Sequence, residues 1–377
     1  MDKEIEHYKG KVQEFAESDS KETIIRNVAS SKVRKGIYEE VTRCNLFHAS
    51  VTEEGTIFKN IIVSKVPIKT SVKIDAGAIE CFAKYAALPI PVPIPEYVEY
   101  YLDQLEPYFN CRETYKFYLK ALDKYRGASQ YQQVINDLIV KIVNDFTSNA
   151  KLNEFKKSKH GVKTDKKYRD SISSGNHNVY HDMNKGKRFI SVDVKAANFT
   201  TICDFSIEAT LGFTNWNDLI ASYTEDEFIR RSKYLREVVF GKIGTSKKAV
   251  MLCPFYLNRV FDIIKTFGYT SEDIDSVNGD DITFKDKGMY EDIKAKIEET
   301  YPGFYNISNY VLQKLDPKPF YIKERTDGKI ELKCIPKDSV MECIKKYEGR
   351  SLDEKDLKFI YNKRIATYDR GTWETLS

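Results

Sequence analysis

The chain has 377 residues, 41% hydrophobic, 13% aromatic and 31% charged, with 60 Lys+Arg against 56 Asp+Glu for a net charge of +4. Its 25 Tyr and 21 Phe supply the burial area of a packed core, which excludes a disordered, collagenous or fibrous chain. No run approaches ~18 apolar residues, and the opening MDKEIEHYKGKVQEF lacks the apolar stretch of a secretory signal, so an intracellular location (cytoplasm or nucleus) with no membrane partner is expected. Seven scattered cysteines without a C-x-x-C pair point to free thiols in a reducing compartment. Cys44 with His48 and His177 with His181 have ligand-like spacing, but no second pair completes a zinc set, and both read as incidental.

Residues 1–150 read as a mostly helical N-terminal domain of unassigned role. Helices are predicted over 21–43 and 131–146, the latter with Val134, Leu138, Ile142 and Phe146 as its buried stripe. Residues 57–66 (IFKNIIVSKV) have the branched content of a strand. Residues 88–95 (LPIPVPIP) must be extended, near polyproline II, as a packed connector.

The character changes at Lys151. Residues 151–188 carry eleven Lys/Arg against four Asp/Glu, a local excess of seven positive charges hidden by the near-neutral whole. Such clustering is the footprint of a polyanion partner; a solvated loop is the plain alternative. Residues 189–194 (FISVDV) form an apolar strand ending in Asp193, followed by a helix with Phe199, Ile202 and Cys203 on one face. A carboxylate there is costly to bury without a cation or hydrogen bonds. A helix is predicted over 225–240, opened by a Thr224/Glu227 capping box, with Phe228, Leu235, Val238 and Val239 on one arc. Arg230, Lys233, Arg236 and Phe240 fall on the other, where Phe240 breaks the amphipathic pattern. A basic loop (Lys242, Lys247, Lys248), a helix over 254–267 and a hairpin over 274–284 follow. Asn278-Gly279 makes the hairpin turn and places Asp280 and Asp281 at it. A helix is expected over 290–300, and a second hairpin from 317–322 and 330–336 around an Asp327-Gly328 turn. Taken alone, the Gly-Asp-Asp is an exposed acidic tip, and the 225–240 helix is a solvated basic helix with Phe240 turned into a neighbouring core.

An apolar strand ending in Asp193, 87 residues before an Asp-Asp hairpin, resembles motifs A and C of right-hand nucleic-acid polymerases, a superclass that includes reverse transcriptases and RNA-dependent polymerases. The resemblance covers residues 185–336. It implies an α+β palm, an antiparallel sheet backed by helices, with Asp193 and Asp280 ligating two Mg²⁺ (Mn²⁺ also serving). Asp281 would be the adjacent, less essential carboxylate, and the Val194 carbonyl would complete the site. Arg236-Glu237-Val238-Val239-Phe240-Gly241 is similar to the fingers helix of family A polymerases. There the cations Arg230, Lys233 and Arg236 would hold the triphosphate while Phe240 stacks on the incoming base. Family A carries His-Asp-Glu and a longer interval before motif C, so the spacing suits the reverse-transcriptase palm better. In that lineage Asn198 would stand where an aromatic excludes a 2′-hydroxyl, with Phe199 as an alternative gate and Asn258 assisting. The 317–336 hairpin is similar to a primer grip, and Lys314 is the candidate acid for pyrophosphate.

The expectation is therefore a template-directed polymerase with residues 151–336 as fingers and palm and 337–377 as a short helical extension, a reduced thumb. Its partners would be a nucleic-acid template and primer and nucleoside triphosphates. The rivals are an idle nucleic-acid-binding protein on a palm scaffold and a metal-dependent nuclease. Richness in Lys, Ile, Asn and Tyr suggests an AT-rich, viral or plasmid-borne gene.

Overall fold

The computed structural model describes residues 49–51, 55–58, 61–67, 74–90, 93–158, 178–316, 318–361 and 364–368. The helix expected at 21–43, residues 159–177 of the basic segment, His177 among them, and the Cys44/His48 pair lie outside the described residues.

The described strands and helices follow in chain order. Short strands β1 (Ala49–Val51), β2 (Gly55–Phe58) and β3 (Ile61–Pro67) come first, so the strand expected at 57–66 is divided between two. The helices α1 (Ala76–Tyr85), α2 (Val98–Phe109), α3 (Cys111–Tyr125), α4 (Ala128–Thr147) and α5 (Ala150–Lys157) follow. The buried stripe of α4 is Tyr131, Ile135, Ile139, Ile142 and Phe146. Val134 and Leu138, expected in it, are only half-buried, because two i, i+4 apolar series run along this helix and the one begun by Tyr131 faces inward.

Strand β4 (Arg188–Val194) leads to α6 (Ala197–Phe205), α7 (Trp216–Tyr223), α8 (Glu227–Arg231), α9 (Lys233–Ile243) and α10 (Ser246–Thr266). Then come β5 (Ile274–Asn278), β6 (Asp281–Lys285), α11 (Tyr290–Thr300), β7 (Tyr305–Leu315), β8 (Phe320–Arg325), β9 (Ile330–Lys333) and α12 (Val340–Tyr347), and last β10 (Lys358–Tyr361) and β11 (Arg364–Tyr368).

The chain is α+β, and its described residues form two antiparallel sheets ordered β1-β2-β3-β11-β10 and β5-β6-β4-β7-β8-β9. It divides into two units at boundaries other than 150 and 336. One consists of the described residues up to 79, those of 93–99 and those from 351 onward, and the other of 80–90 and 100–350. The helices of 100–157 thus belong with the six-stranded sheet. The C-terminal stretch is not the helical extension expected: beyond α12 it supplies β10 and β11, the latter pairing with β3.

In the six-stranded sheet the pleat sorts side chains between two faces. Val192, Ile282, Tyr305 and Ile322 share one, and Tyr305 donates its hydroxyl to the Tyr256 carbonyl of α10 at 2.8 Å. The other face carries Ser191, Asp193, Asp281, Thr283, Asn306, Ser308 and Lys323 at its pleat positions. Lower on that face, Val179 packs on Phe189, Tyr310, Leu312 and Tyr321.

Candidate active site

β4 lies between β6 and β7, and this register builds the site. Asp193 is directly opposite Asp281 on one side and Asn306 on the other. The turn joining β5 to β6 is Gly279-Asp280, since Asn278 pairs with Asp281. Gly279 takes φ 61°, the left-handed conformation such a turn needs. The hairpin was expected, but Asp280 alone occupies the turn while Asp281 begins β6. The Val194 N–H donates to the Asp280 carbonyl at 2.9 Å, tying the turn to the end of β4.

The three carboxylates are treated differently by their surroundings. Burial, and then the charge of Asp280, push the Asp193 carboxyl up to about 7; Asp281 adds to this, against the Asn306 amide at 3.2 Å and the charge of Lys233. Asp281 is turned back along its strand, accepting hydrogen bonds from Ser191 and from Thr283 (2.9 Å). Among the described residues no three His, Cys, Asp or Glu side chains form a ready-made ligand set. The donor chemistry nonetheless fits a hard divalent cation, because Asp193 is driven toward protonation by burial and then by neighbouring carboxylates, and a cation would offset both. Asn306 and Ser191 escaped the sequence reading, since neither is unusual in a strand. Only the register brings them to the carboxylates.

The helix expected over 225–240 is two helices. Asp226 caps α8, accepting from the N–H of Phe228 (3.0 Å) and Ile229 (3.2 Å), so the cap is Asp226 and not Thr224. Ser232 then caps α9, accepting from Leu235 N–H while donating to the Tyr85 carbonyl at 2.8 Å. The break re-aims the second half. Phe240 is fully buried against Phe146, Phe199 and Trp216, with ring centroids 5.8, 6.3 and 5.6 Å away. No face of its ring is open to a base, which removes the stacking role, and Phe199 in the same cluster is removed as a ribose gate. Asn198 stays half-buried in the first turn of α6, and Asn258 half-buried on α10.

The cations gather around a cleft of about 370 Å³ lined by Trp216, Glu227, Arg230, Arg231, Lys233 and Arg236, among others. Arg230 is held by Glu227 at 2.5 Å, Arg231 by Glu113 at 2.5 Å, and Lys233 lies 3.6 Å from Glu237. Arg236 has no ion pair among the described residues. Burial lowers its pKa, while the charges of Glu237 and Asp193 oppose that shift. Cys253 of α10 borders the same carboxylates: burial, then Asp280 and Asp193, push its thiol up to about 12.

Two further expectations change. Lys242 closes α9 and Lys247 and Lys248 open α10, so they are not a loop; Lys248 donates to the carbonyls of Phe155 and Ser158 at the end of α5. Lys314 pairs with Asp182 (2.9 Å) and Asp316 (3.2 Å). It stands eight residues along β7 from Asn306, about 26 Å at ~3.3 Å per residue, which removes it as an acid at the carboxylates. The 317–336 hairpin forms as expected, from β8 and β9. No described helix is long and apolar enough to cross a membrane.

Comparison with protein-family models, with curated proteins and with solved structures finds no match for this chain.

Proposed function

We propose that the chain is a template-directed nucleotidyltransferase of the right-hand polymerase kind, with β4–β9 as its palm sheet. One observation carries this reading. Asp193 on the central strand faces Asp281 across the ladder, and burial, together with the charge of Asp280 in the adjoining turn, pushes the Asp193 carboxyl up to about 7. Asp193 and Asp280 would hold two Mg²⁺ or Mn²⁺ ions, with Asp281 beside them. When bound, the ions would activate a primer 3′-hydroxyl for in-line attack on the α-phosphate and neutralise charge on the leaving pyrophosphate.

The protein's own groups have separate tasks. Arg236 offers its unpaired guanidinium to the triphosphate, a planar donor matched to phosphate oxygens. The N–H groups opening α9, whose cap Ser232 lines the cleft, add the positive end of a helix. Asn306 holds the Asp193 carboxylate in place, and Ser191 and Thr283 orient Asp281. Because helices back the opposite face, the polar face of the sheet is the one left for a nucleic-acid strand. The basic 151–188 segment would grip template phosphates without reading sequence.

A primer-extension assay with labelled dNTPs and NTPs, on DNA and RNA templates, tests the reading and identifies the preferred sugar. Extension that is lost in Asp193→Asn and Asp280→Asn proteins supports it. Equal extension by wild type and both variants sinks it. Shortening of the primer instead of extension would point to a nuclease, and template binding without either reaction to an idle scaffold.

A further inference from the structure

The basic cleft holds one acid that phosphate binding alone does not call for. Among its described lining residues Glu227 is the single carboxylate, set beside Arg230, Arg231, Lys233 and Arg236. A negative charge there repels an anionic ligand, so its partners decide what it does. Glu227 opens α8, and the helix brings the residues three and four positions on to the same side. One of its oxygens meets Arg230 at 2.5 Å, and the other lies 3.7 Å from Arg231.

The two arginines depend on it unequally. Arg231 has a second acid, Glu113 of α3, at 2.5 Å, and its guanidinium lies 4.6 Å from the centroid of the Phe117 ring. These contacts hold it in place without Glu227. Arg230 has no other ion pair among the described residues, so the carboxylate that anchors it also masks it. Both members of that pair are partly exposed, and ion pairs shared with water are weak. A guanidinium on a phosphate makes charge-assisted hydrogen bonds in a matched planar geometry, and these are stronger.

We propose that Glu227 is the resident anion of the cleft. It occupies Arg230 while the cleft is empty, yields it to the phosphates of an entering polyphosphate, and takes it back as pyrophosphate leaves. This rests on the cleft being the triphosphate site. The exchange has two consequences. Arg230 adds to phosphate affinity only the difference between its two pairings, so its loss alone costs little. Glu227 holds down the affinity for pyrophosphate, because it competes for the same guanidinium, and this favours product release.

The test is calorimetric binding of inorganic pyrophosphate, and of a non-hydrolysable nucleoside triphosphate, to the full chain. Chelator in the buffer keeps metal ions out of the measurement. The proteins compared are wild type, Glu227→Gln, Arg230→Ala, the double variant and Arg236→Ala, with folding checked by circular dichroism. Glu227→Gln is expected to bind both ligands about five- to tenfold more tightly. Arg230→Ala should weaken binding less than about threefold in the wild-type background, and should cancel most of the gain in the Glu227→Gln background. No gain in the folded Glu227→Gln protein overturns the proposal, and so does a full gain that persists without Arg230. In either case, binding that Arg236→Ala weakens leaves the cleft standing as the phosphate site. If wild type binds neither ligand, or Arg236→Ala changes nothing, the cleft reading fails and this inference fails with it.

Discussion

Replacing Asp193 by Asn separates the demands of function from those of stability at the site. The substitution keeps the shape of the side chain and its contact with Asn306 but removes the charge. Asp193 has its carboxyl raised from 3.8 to about 7 in the folded chain, chiefly by burial and the charge of Asp280. A carboxyl raised on folding binds its proton more tightly in the native state, so its stabilising contribution is full below about pH 4. That contribution is lost as pH rises through about 7. A shift of about three pH units at ~1.4 kcal/mol each sets a ceiling of about 4 kcal/mol, and partial exposure to solvent brings the expectation to about 2–4 kcal/mol. In chelator-containing buffer, urea melts between about pH 5 and pH 8, a window that spans about two of those three units, should show wild type losing about 1–3 kcal/mol more stability than Asp193→Asn. Adding Mg²⁺ or Mn²⁺ at pH 8 should then stabilise wild type, by about 2.7 kcal/mol at 100 times Kd, and leave the variant nearly unmoved. Parallel pH profiles for the two proteins would refute the electrostatic account of Asp193. Equal stabilisation of both by metal would refute its place as a ligand.

The other expectations concern the cleft and the core around it. Arg236→Ala should weaken nucleoside triphosphate binding roughly 10- to 100-fold in equilibrium titration, the worth of a charge-assisted hydrogen bond. Arg230→Ala, whose guanidinium is engaged by Glu227, should change it less than about threefold; a reversed order would place the phosphates elsewhere. Phe240→Ala should destabilise the fold by about 3–5 kcal/mol in denaturant melts, as a fully buried ring among three others must, whereas a base-stacking Phe would leave stability untouched. Ser232→Ala should cost about 1–2 kcal/mol, losing the cap of α9 and the bond to the Tyr85 carbonyl, with circular dichroism reporting the frayed helix.

What could be read from the sequence was local. The β4 strand, the Asn-Gly hairpin and the 290–300 helix are written in periodicity and turn chemistry that act within ten residues, and they formed where expected. The helix break at Ser232 was also legible in principle, since Asp226 and Ser232 are both good caps; the basic residues at three- and four-residue spacing drew one helix through them. Phe240 turned into a neighbouring core was one of the two readings the sequence left open; which of them holds was not legible, because its partners stand 94, 41 and 24 positions away and only tertiary packing brings them together. The same holds for β11, which finds β3 across nearly the whole chain.

Lys323 is the sharper case. In the sequence it is one of many lysines in a strand of mixed polarity, beside a Glu that looks like its partner on the next strand. The fold gives that Glu331 to Arg325 and Lys333 and leaves Lys323 over the rings of Tyr310 and Tyr180. Arg236 is left unpaired in the same way, in a cleft where its neighbours are matched to acids. Net charge near zero therefore does not mean neutralised charge. Of the cations described around the cleft, Arg230, Arg231 and Lys233 lie against acids, while Arg236 has no ion pair among the described residues.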